Sequence, residues 1–226
     1  STEDEYPLLL HYSYFQLYRK QVVKQPDLVL AMHLRGDAFT DEEKLRDVAY
    51  YEEVTVRDSS LSACCQAILA AEVGLPELAH EYVVEPALAD IRDPEHDSSD
   101  GLHVAALAGT WLALVCGFGG LRHHHSGPGH GGLSFRPVLP DELPRLCFRL
   151  LFRGRLLRVT VEPGQATYEL LRGEPLTVRH ERDDLELAVG APVTRPTEPR
   201  PRSPLPSQPE TRAPGRGTLK DDSRPG

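Results

Sequence analysis

The chain has 226 residues, of which 40% are hydrophobic and 26% charged, and its net charge is −9. This length and composition predict one or two globular domains. Acidic side chains outnumber basic ones by 34 to 25, which argues against nonspecific nucleic-acid binding because phosphate backbones would repel the chain. Small anions remain possible ligands, since a local nest of N–H groups can outweigh distant charge. No apolar run reaches the roughly 18 residues that a membrane-spanning helix needs.

The N-terminal residues 1–5 are acidic and polar and lack a signal-peptide pattern, and an apolar pattern begins almost at once, at Leu8. We therefore expect a cytoplasmic chain that starts partway through a longer protein. Of the four cysteines, Cys64 and Cys65 are adjacent, so they cannot easily pair with each other and do not have the spacing of metal ligands. Reduced, buried thiols are expected for all four.

Residues 1 to about 121 are predicted to be helical. Helix starts are predicted at Pro26, at Thr40 in a capping box with Glu43, near Leu61, at Pro76 and after Gly101. A further proline, at position 86, should break or kink the fourth of these helices. The fifth is apolar on nearly every face, which predicts burial. Repeated helical hairpins fit an α/α barrel or a bundle equally well.

Three further segments follow. Residues 122–132 form a His- and Gly-rich loop, for which a flexible insertion is favoured over a metal site. Residues 133–194 alternate between apolar and polar residues in short runs separated by turns, which predicts a small β-sandwich. Residues 195–226 are rich in proline and poor in large apolar side chains, so we expect a disordered tail, with binding of a partner by the prolines as the alternative.

Two predicted helix starts could bind an anion, because a helix N-terminus offers unpaired N–H groups and the positive end of a dipole. One contains Ser59 and Ser60, and the other contains His103. Plain N-capping explains the same residues and is favoured from spacing alone. Lys24 and Gln25, just before a helix, could bind sugar hydroxyls or could be solvated polar residues. No hydrolase triad, nucleophile elbow or phosphate-binding Gly-rich loop is found.

Four motifs in order resemble one enzyme family: Tyr-Arg-Lys-Gln-Val-Val-Lys-Gln at 18–25, Asp-Ser-Ser-Leu-Ser at 58–62, Asp-Gly-Leu-His at 100–103 and Ala-Gly-Thr-Trp at 108–111. They closely resemble glycoside hydrolase family 65, which contains maltose, kojibiose, nigerose and trehalose phosphorylases and some trehalose hydrolases. The resemblance covers residues 7–196. It implies an α+β multidomain fold: the last helices of an (α/α)6 barrel over residues 1–121, then a small antiparallel β-sandwich and the disordered tail.

The resemblance also implies roles for individual residues. Lys24 and Gln25 would bind the glucosyl unit. The family's general acid is a Glu well upstream of this pair, so no catalytic residue is expected in this chain, and the chain alone should be inactive. Pro26 stands where the family usually has Ala, and Arg57 where many members have His. The residues in the segments implied to bind phosphate are Ser59, Ser60, His103, Gly109 and Thr110.

The activity implied for the parent enzyme is cleavage of an α-glucosyl disaccharide of the maltose, trehalose or kojibiose type by inorganic phosphate, with inversion to β-glucose 1-phosphate. The alternatives are a trehalose hydrolase relative and a noncatalytic carbohydrate-binding fragment. The expected partners are the disaccharide and phosphate, with the parent enzyme a candidate homodimer. No metal or cofactor, no nucleic acid and no membrane are expected.

Overall fold

The structure, a computed structural model, describes residues 8–56, 61–92, 101–123 and 132–208, together with Pro214. A layer of helices precedes two four-stranded sheets. One continuous set of buried side chains runs from the helices into the sheets. The helices are α1 (Leu8–His11), α2 (Tyr14–Leu17), α3 (Asp27–Leu34), α4 (Asp41–Val54), α5 (Ser62–Glu72), α6 (Pro76–Arg92) and α7 (Val104–Leu112).

The predicted helix starts agree with the structure to within a few residues. The Thr40 hydroxyl accepts a hydrogen bond from the Glu43 backbone N–H at 3.2 Å, and the Glu43 carboxylate accepts one from the Thr40 backbone N–H at 2.8 Å. This capping box begins α4. Gly74, with φ of 85°, follows the end of α5, where a residue with positive φ is needed.

Of the two predicted effects of Pro86, a break or a kink, the break does not occur, because α6 continues through Pro86 to Arg92. A proline inside a helix loses one backbone hydrogen bond and costs about 3 kcal/mol. Packing of α6 against α5, including the fully buried Ala79 and Tyr82, offsets this cost.

The predicted burial of the fifth helix is wrong for its first part, α7. Only Ala106 and Gly109 are buried within the helix, while Val104 is 67% exposed and Trp111 47% exposed. Apolar side chains lie on nearly every face of α7, but the neighbouring described residues cover only one of these faces. The chain continues from α7 into one π-helical segment, Ala113–Phe118, which is buried; that departure from regular helix geometry has no signal in the sequence.

The helix α5 is the centre of the helical layer. All its residues from Ser62 to Ala71 are buried, and most are small. It contacts α3, α4, α6, and α7 with its π-helical extension. Small side chains allow neighbouring helices to approach closely from several directions.

The strands form two sheets, with orders β1-β2-β6-β7 and β3-β4-β5-β8. The predicted sandwich is thus present: Phe135 and Tyr168, from different sheets, have ring centroids 5.1 Å apart in the core. The strands are β1 (Leu121–His123), β2 (Leu133–Phe135), β3 (Leu146–Phe152), β4 (Arg155–Glu162), β5 (Gln165–Arg172), β6 (Leu176–His180), β7 (Asp183–Leu187) and β8 (Val193–Pro196).

The sequence analysis led us to expect an antiparallel sandwich. The structure differs at one place, because β2 and β6 pair in parallel. The chain forms β3, β4 and β5 of the other sheet between these two strands, and it therefore returns to the first sheet in the same direction as β2. The strand β1, which begins the predicted His-rich loop, was also missed. Residues 124–131 of that loop lie outside the described residues.

A buried ion cluster joins α4, α5 and β1. Glu72, at the end of α5, accepts hydrogen bonds from Lys44 at 2.8 Å and from Arg122 at 2.6 Å. Burial alone would raise the pKa of Glu72, but Arg122 and Lys44 overcome this and lower the pKa to about 2. Close by, burial and then the charge of Arg122 lower the pKa of His33 to about 4.

The predicted disorder of residues 195–226 is wrong for the part that the structure describes. Residues up to Pro196 form β8, and residues 197–208, here called the C-terminal strap, lie against the helices. Ser203 donates from its hydroxyl to the Val73 carbonyl at 2.7 Å and from its backbone N–H to the Gly74 carbonyl at 3.0 Å. Apart from Pro214, residues 209–226 lie outside the described residues.

Arg200 extends the contacts of the C-terminal strap to both parts of the fold. Its guanidinium donates to the carbonyls of Ala71 and Glu72 at 3.2 and 3.3 Å, and to the carbonyl of Arg136 in the sheet part. The last carbonyls of a helix lack partners within the helix. Together with Ser203, Arg200 therefore satisfies four successive carbonyls at the end of α5. Amino-acid composition does not reveal whether a side chain can reach the carbonyls at the end of a distant helix. The prediction of disorder rested on the high proline content and therefore missed these contacts.

We expect the thermal midpoint to fall as the pH falls from 6.5 to 2. In the unfolded chain His33 gains a proton near pH 6.5, whereas the folded protein keeps it neutral down to about pH 4. Likewise, unfolded Glu72 gains a proton near pH 4.5, and folded Glu72 only near pH 2. The unfolded state binds more protons across both windows, so stability is lost as the pH falls.

His33→Gln should flatten the loss between pH 6.5 and 4, an effect on the order of 2–3 kcal/mol. Thermal unfolding followed by circular dichroism at several pH values measures it, with exposed His11→Gln as the control. If the thermal midpoint of His33→Gln falls with pH as steeply as that of the wild type, His33 is not the source of this pH dependence.

Arg200→Ala should release the C-terminal strap without unfolding the protein. Trypsin then reaches the Arg202–Ser203 bond, and we expect cleavage there to accelerate about tenfold, which corresponds to about 1.4 kcal/mol of lost hydrogen bonding. Arg195→Ala is the matched control, because the Arg195 guanidinium bonds the carbonyl of the adjacent Thr194. Mass spectrometry identifies the cut, and a strap held by Arg200 is excluded if both variants are cleaved at the wild-type rate.

Candidate functional site

The helices α3 and α5 begin at the same end of the helical layer. The Ser62 hydroxyl, in the first residue of α5, donates to the Lys24 carbonyl at 3.1 Å, just before α3. At the opposite ends of these two helices, His33 lies close enough to Glu72 for the carboxylate to act on its pKa. The two helices therefore run parallel.

The helix α7 runs in the same direction. Near the start of α5, the Cys64 thiol donates to the Ala106 carbonyl at 3.8 Å. Towards the end of α5, a Cβ on Gly117 would lie 3.7 Å from the Ala71 Cβ. Three helices thus begin at one end of the layer, and their partial positive charges accumulate there. This end is here called the starting end.

Lys24 and Gln25 lie at the starting end with exposed side chains. Their backbone is held in place: the neighbouring Val23 donates to the Val54 carbonyl and accepts from the Val56 N–H, both at 2.9 Å. The buried Pro26 then caps α3. The two polar side chains thus project from a fixed backbone, as a binding role requires, although a solvated surface pair would look the same.

His103 caps α7 at the starting end and contacts a carboxylate that the sequence analysis missed. Its ring Nδ1 lies 2.7 Å from Asp90 Oδ1. Its backbone N–H also donates to both oxygens of Asp90, at 3.0 and 3.2 Å. Asp90 is in the last turns of α6, thirteen positions before His103, and no motif in the sequence joins the two residues.

Gly109 and Thr110 have structural explanations. A Cβ on Gly109 would lie 2.2 Å from the Cys64 Sγ, so only glycine lets α7 approach α5 this closely. The Thr110 hydroxyl donates to the Ala106 carbonyl within the helix at 2.9 Å. Both residues lie roughly 9–10 Å further along the helix axis than His103, at about 1.5 Å per residue. Their part in a phosphate site therefore stays a prediction.

Ser59 and Ser60 lie outside the described residues. The described residue nearest to them is Leu61, and Ser62 then begins α5 at the starting end. The binding role of the two serines stays a prediction.

The buried cysteines are poorly suited to act as nucleophiles. All four are free thiols, and Cys64, Cys65 and Cys116 are buried, whereas Cys147 is exposed, contrary to the sequence prediction. Burial raises the pKa of Cys64 to about 11 and that of Cys65 to about 12, so both thiols stay protonated at neutral pH. Among the described residues, no three His, Cys, Asp or Glu side chains are grouped as metal ligands. Nor is any described helix long and apolar enough to cross a bilayer.

Two family models match the chain. The model of the glycosyl hydrolase family 65 central catalytic domain matches residues 1–112, and the model of the family 65 C-terminal domain matches residues 128–187. The two matches correspond to the helical layer and to most of the sandwich.

Individual relatives agree with these matches. The chain is 51% identical to an uncharacterized glycosyl hydrolase of Mycobacterium leprae over 212 residues, which cover 92% of this chain and 26% of the relative. It is 40% identical to the alpha,alpha-trehalose phosphorylase of Thermoanaerobacter brockii over 176 residues, 78% of this chain and 22% of that enzyme. A solved structure of a putative kojibiose phosphorylase from the human microbiome superimposes with a TM-score of 0.79 at 26% identity, over 88% of this chain and 29% of its own. The chain thus spans about a quarter of the length of these relatives.

Gly109→Ala tests whether close packing explains this glycine. The added methyl group would overlap Cys64, so we expect a loss of about 1–3 kcal/mol in stability, partly restored by Cys64→Ala. Gly117→Ala is the matched control, because its new Cβ meets no atom closer than 3.5 Å. Chemical denaturation measures the free energy of unfolding of the wild type, Gly109→Ala, Gly109→Ala with Cys64→Ala, and Gly117→Ala. A destabilisation that Cys64→Ala fails to relieve would point away from this contact.

Proposed function

Because the chain belongs to glycoside hydrolase family 65, we propose that it forms part of an inverting disaccharide phosphorylase. In this proposal the whole enzyme splits an α-glucosyl disaccharide of the maltose, trehalose or kojibiose type with inorganic phosphate. The products are β-glucose 1-phosphate and a free sugar. Support comes from the 40% identity to an alpha,alpha-trehalose phosphorylase and from the structural likeness to a putative kojibiose phosphorylase.

The common direction of α3, α5 and α7 carries the proposal. Because all three helices begin at the starting end, a phosphate bound there would meet backbone N–H groups of their first turns and the positive ends of the helix dipoles. A chain with net charge −9 can thereby bind an anion without a cluster of basic side chains. His103, Ser59 and Ser60 are the proposed phosphate ligands, and Lys24 and Gln25 the proposed glucosyl ligands.

The proposed reaction needs one acid. Inverting hydrolysis normally requires an acid for the leaving oxygen and a base to activate water. Phosphate is already a nucleophile and so replaces both water and base. A phosphate oxygen bonds to the anomeric carbon as the glycosidic C–O bond breaks, and the acid protonates the departing oxygen. The ligands in this chain would hold phosphate in line for the attack. The acid is a Glu of the parent enzyme outside this chain.

The alternative of a trehalose hydrolase requires a carboxylate to activate water. Asp90 is such a carboxylate at the starting end, and this is the observation that favours the alternative. However, both of its oxygens accept hydrogen bonds from the start of α7, which commits them to His103. We therefore keep the phosphorylase as the leading proposal.

The decisive assay uses the intact protein with maltose, trehalose or kojibiose, in the presence and absence of inorganic phosphate. We expect β-glucose 1-phosphate only when phosphate is present, detected by phosphorus NMR. Ser59→Ala or Ser60→Ala should raise the KM for phosphate by about tenfold, since each removes a hydrogen bond to a charged ligand. The control is Ser207→Ala, in the exposed part of the strap. Free glucose formed without phosphate would contradict the proposal.

A further inference from the structure

We propose that Asp90 is the positioning residue for the phosphate ligand His103, and that it holds the imidazole ring in the doubly protonated form that can donate to a phosphate dianion. The inference rests on the proposed function, because it assigns a second residue to the same phosphate site. Asp90 would touch neither phosphate nor sugar and would act only through His103.

The contact between the two residues fixes both backbone and ring. Asp90 reaches His103 from α6, the helix before, and its side chain is only 12% exposed. One carboxylate accepts the backbone N–H that begins α7 and also faces the ring nitrogen Nδ1 at 2.7 Å. Plain capping of a helix needs only the backbone contact. The short contact between Asp90 and the His103 ring indicates a second role for this carboxylate, which is to orient the ring.

The chemistry of the pair sets the position of the proton on the ring. An ionised carboxylate only accepts hydrogen bonds, so Nδ1 must carry a proton to bond with Asp90. In a neutral ring the other nitrogen, Nε2, then bears a lone pair and cannot donate to a phosphate oxygen. A second proton, on Nε2, turns the ring into a cation that donates from both nitrogens.

The charge of Asp90 makes that cation favourable. With a neutral ring, the carboxylate and the phosphate dianion would be two anions with no positive charge between them. With a doubly protonated ring, the imidazolium lies between two anions and is attracted by both. His103 is half-buried, so this attraction is less screened than it would be in open water. A partner behind a ligating histidine commonly changes ligand affinity by 10- to 100-fold at metal sites, and the same orientation and charge effects act here.

The test compares Asp90→Asn, His103→Gln and the double variant with the wild type in the intact protein. Asn keeps an oxygen that can accept the His103 backbone N–H but removes the charge. We expect Asp90→Asn to raise the KM for inorganic phosphate about tenfold and to change the KM for the disaccharide less than about twofold. In the His103→Gln background, Asp90→Asn should have no further effect on phosphate, because the residue through which it acts is absent. Should His103→Gln turn over too slowly, the dissociation constant of inorganic phosphate by calorimetry replaces KM for all four proteins.

Asp184→Asn is the control, since it makes the same chemical change to a carboxylate that pairs with Arg179 in the sandwich. Three results would overturn the inference and leave the proposed phosphorolysis standing. They are an unchanged KM for phosphate in Asp90→Asn, equal rises in the KM values for phosphate and disaccharide, and additive effects in the double variant. Absence of any sugar phosphate from the wild-type protein would overturn the proposed function, and this inference with it.

Discussion

The burial of α5 from Ser62 to Ala71 is the constraint on which the rest of the helical layer depends. A buried helix can satisfy its own central backbone groups but not those at its two ends. At its first residue, Ser62 bonds the Lys24 carbonyl and so ties the start of α5 to the start of α3. At its last residues, Arg200 and Ser203 donate to backbone carbonyls that have no partner in a next helical turn. The same burial requires small residues where neighbours cross, as at Gly109. The common direction of the helices, the attachment of the C-terminal strap and the close approach of α7 thus all follow from the burial of α5.

Local signals in the sequence predicted much of the fold. The Thr40 capping box and the alternation of buried and exposed residues in strands such as Leu146–Phe152 each act within a few residues of the chain. Features that depend on distant residues were not predictable in the same way. The Arg200 contacts join positions more than sixty residues apart, and the parallel pair of β2 and β6 depends on an intervening sheet. The exposed face of α7 was mistaken for a buried one because apolar composition does not reveal what covers a helix.

The candidate site was predictable only through its motifs. Spacing alone favoured simple N-capping, and in the structure His103 occupies the N-cap position of α7 but makes no side-chain hydrogen bond to the helix. The ordered motifs instead indicated a family, which the family models then confirmed. Asp90 escaped both approaches, because it lies outside every motif and meets His103 only through the packing of the end of α6 against the start of α7. Gly109 shows the opposite case, in which a motif residue has a sufficient structural reason in its contact with Cys64.

The central claim is that an anion binds at the end of the layer where α3, α5 and α7 begin. A crystal structure of the intact protein with bound phosphate tests it most directly. The account predicts density for a tetrahedral anion within hydrogen-bonding distance of the His103 ring, with Asp90 on the other side of that ring. Phosphate bound elsewhere, or a carboxylate and a water molecule in its place, would contradict the account.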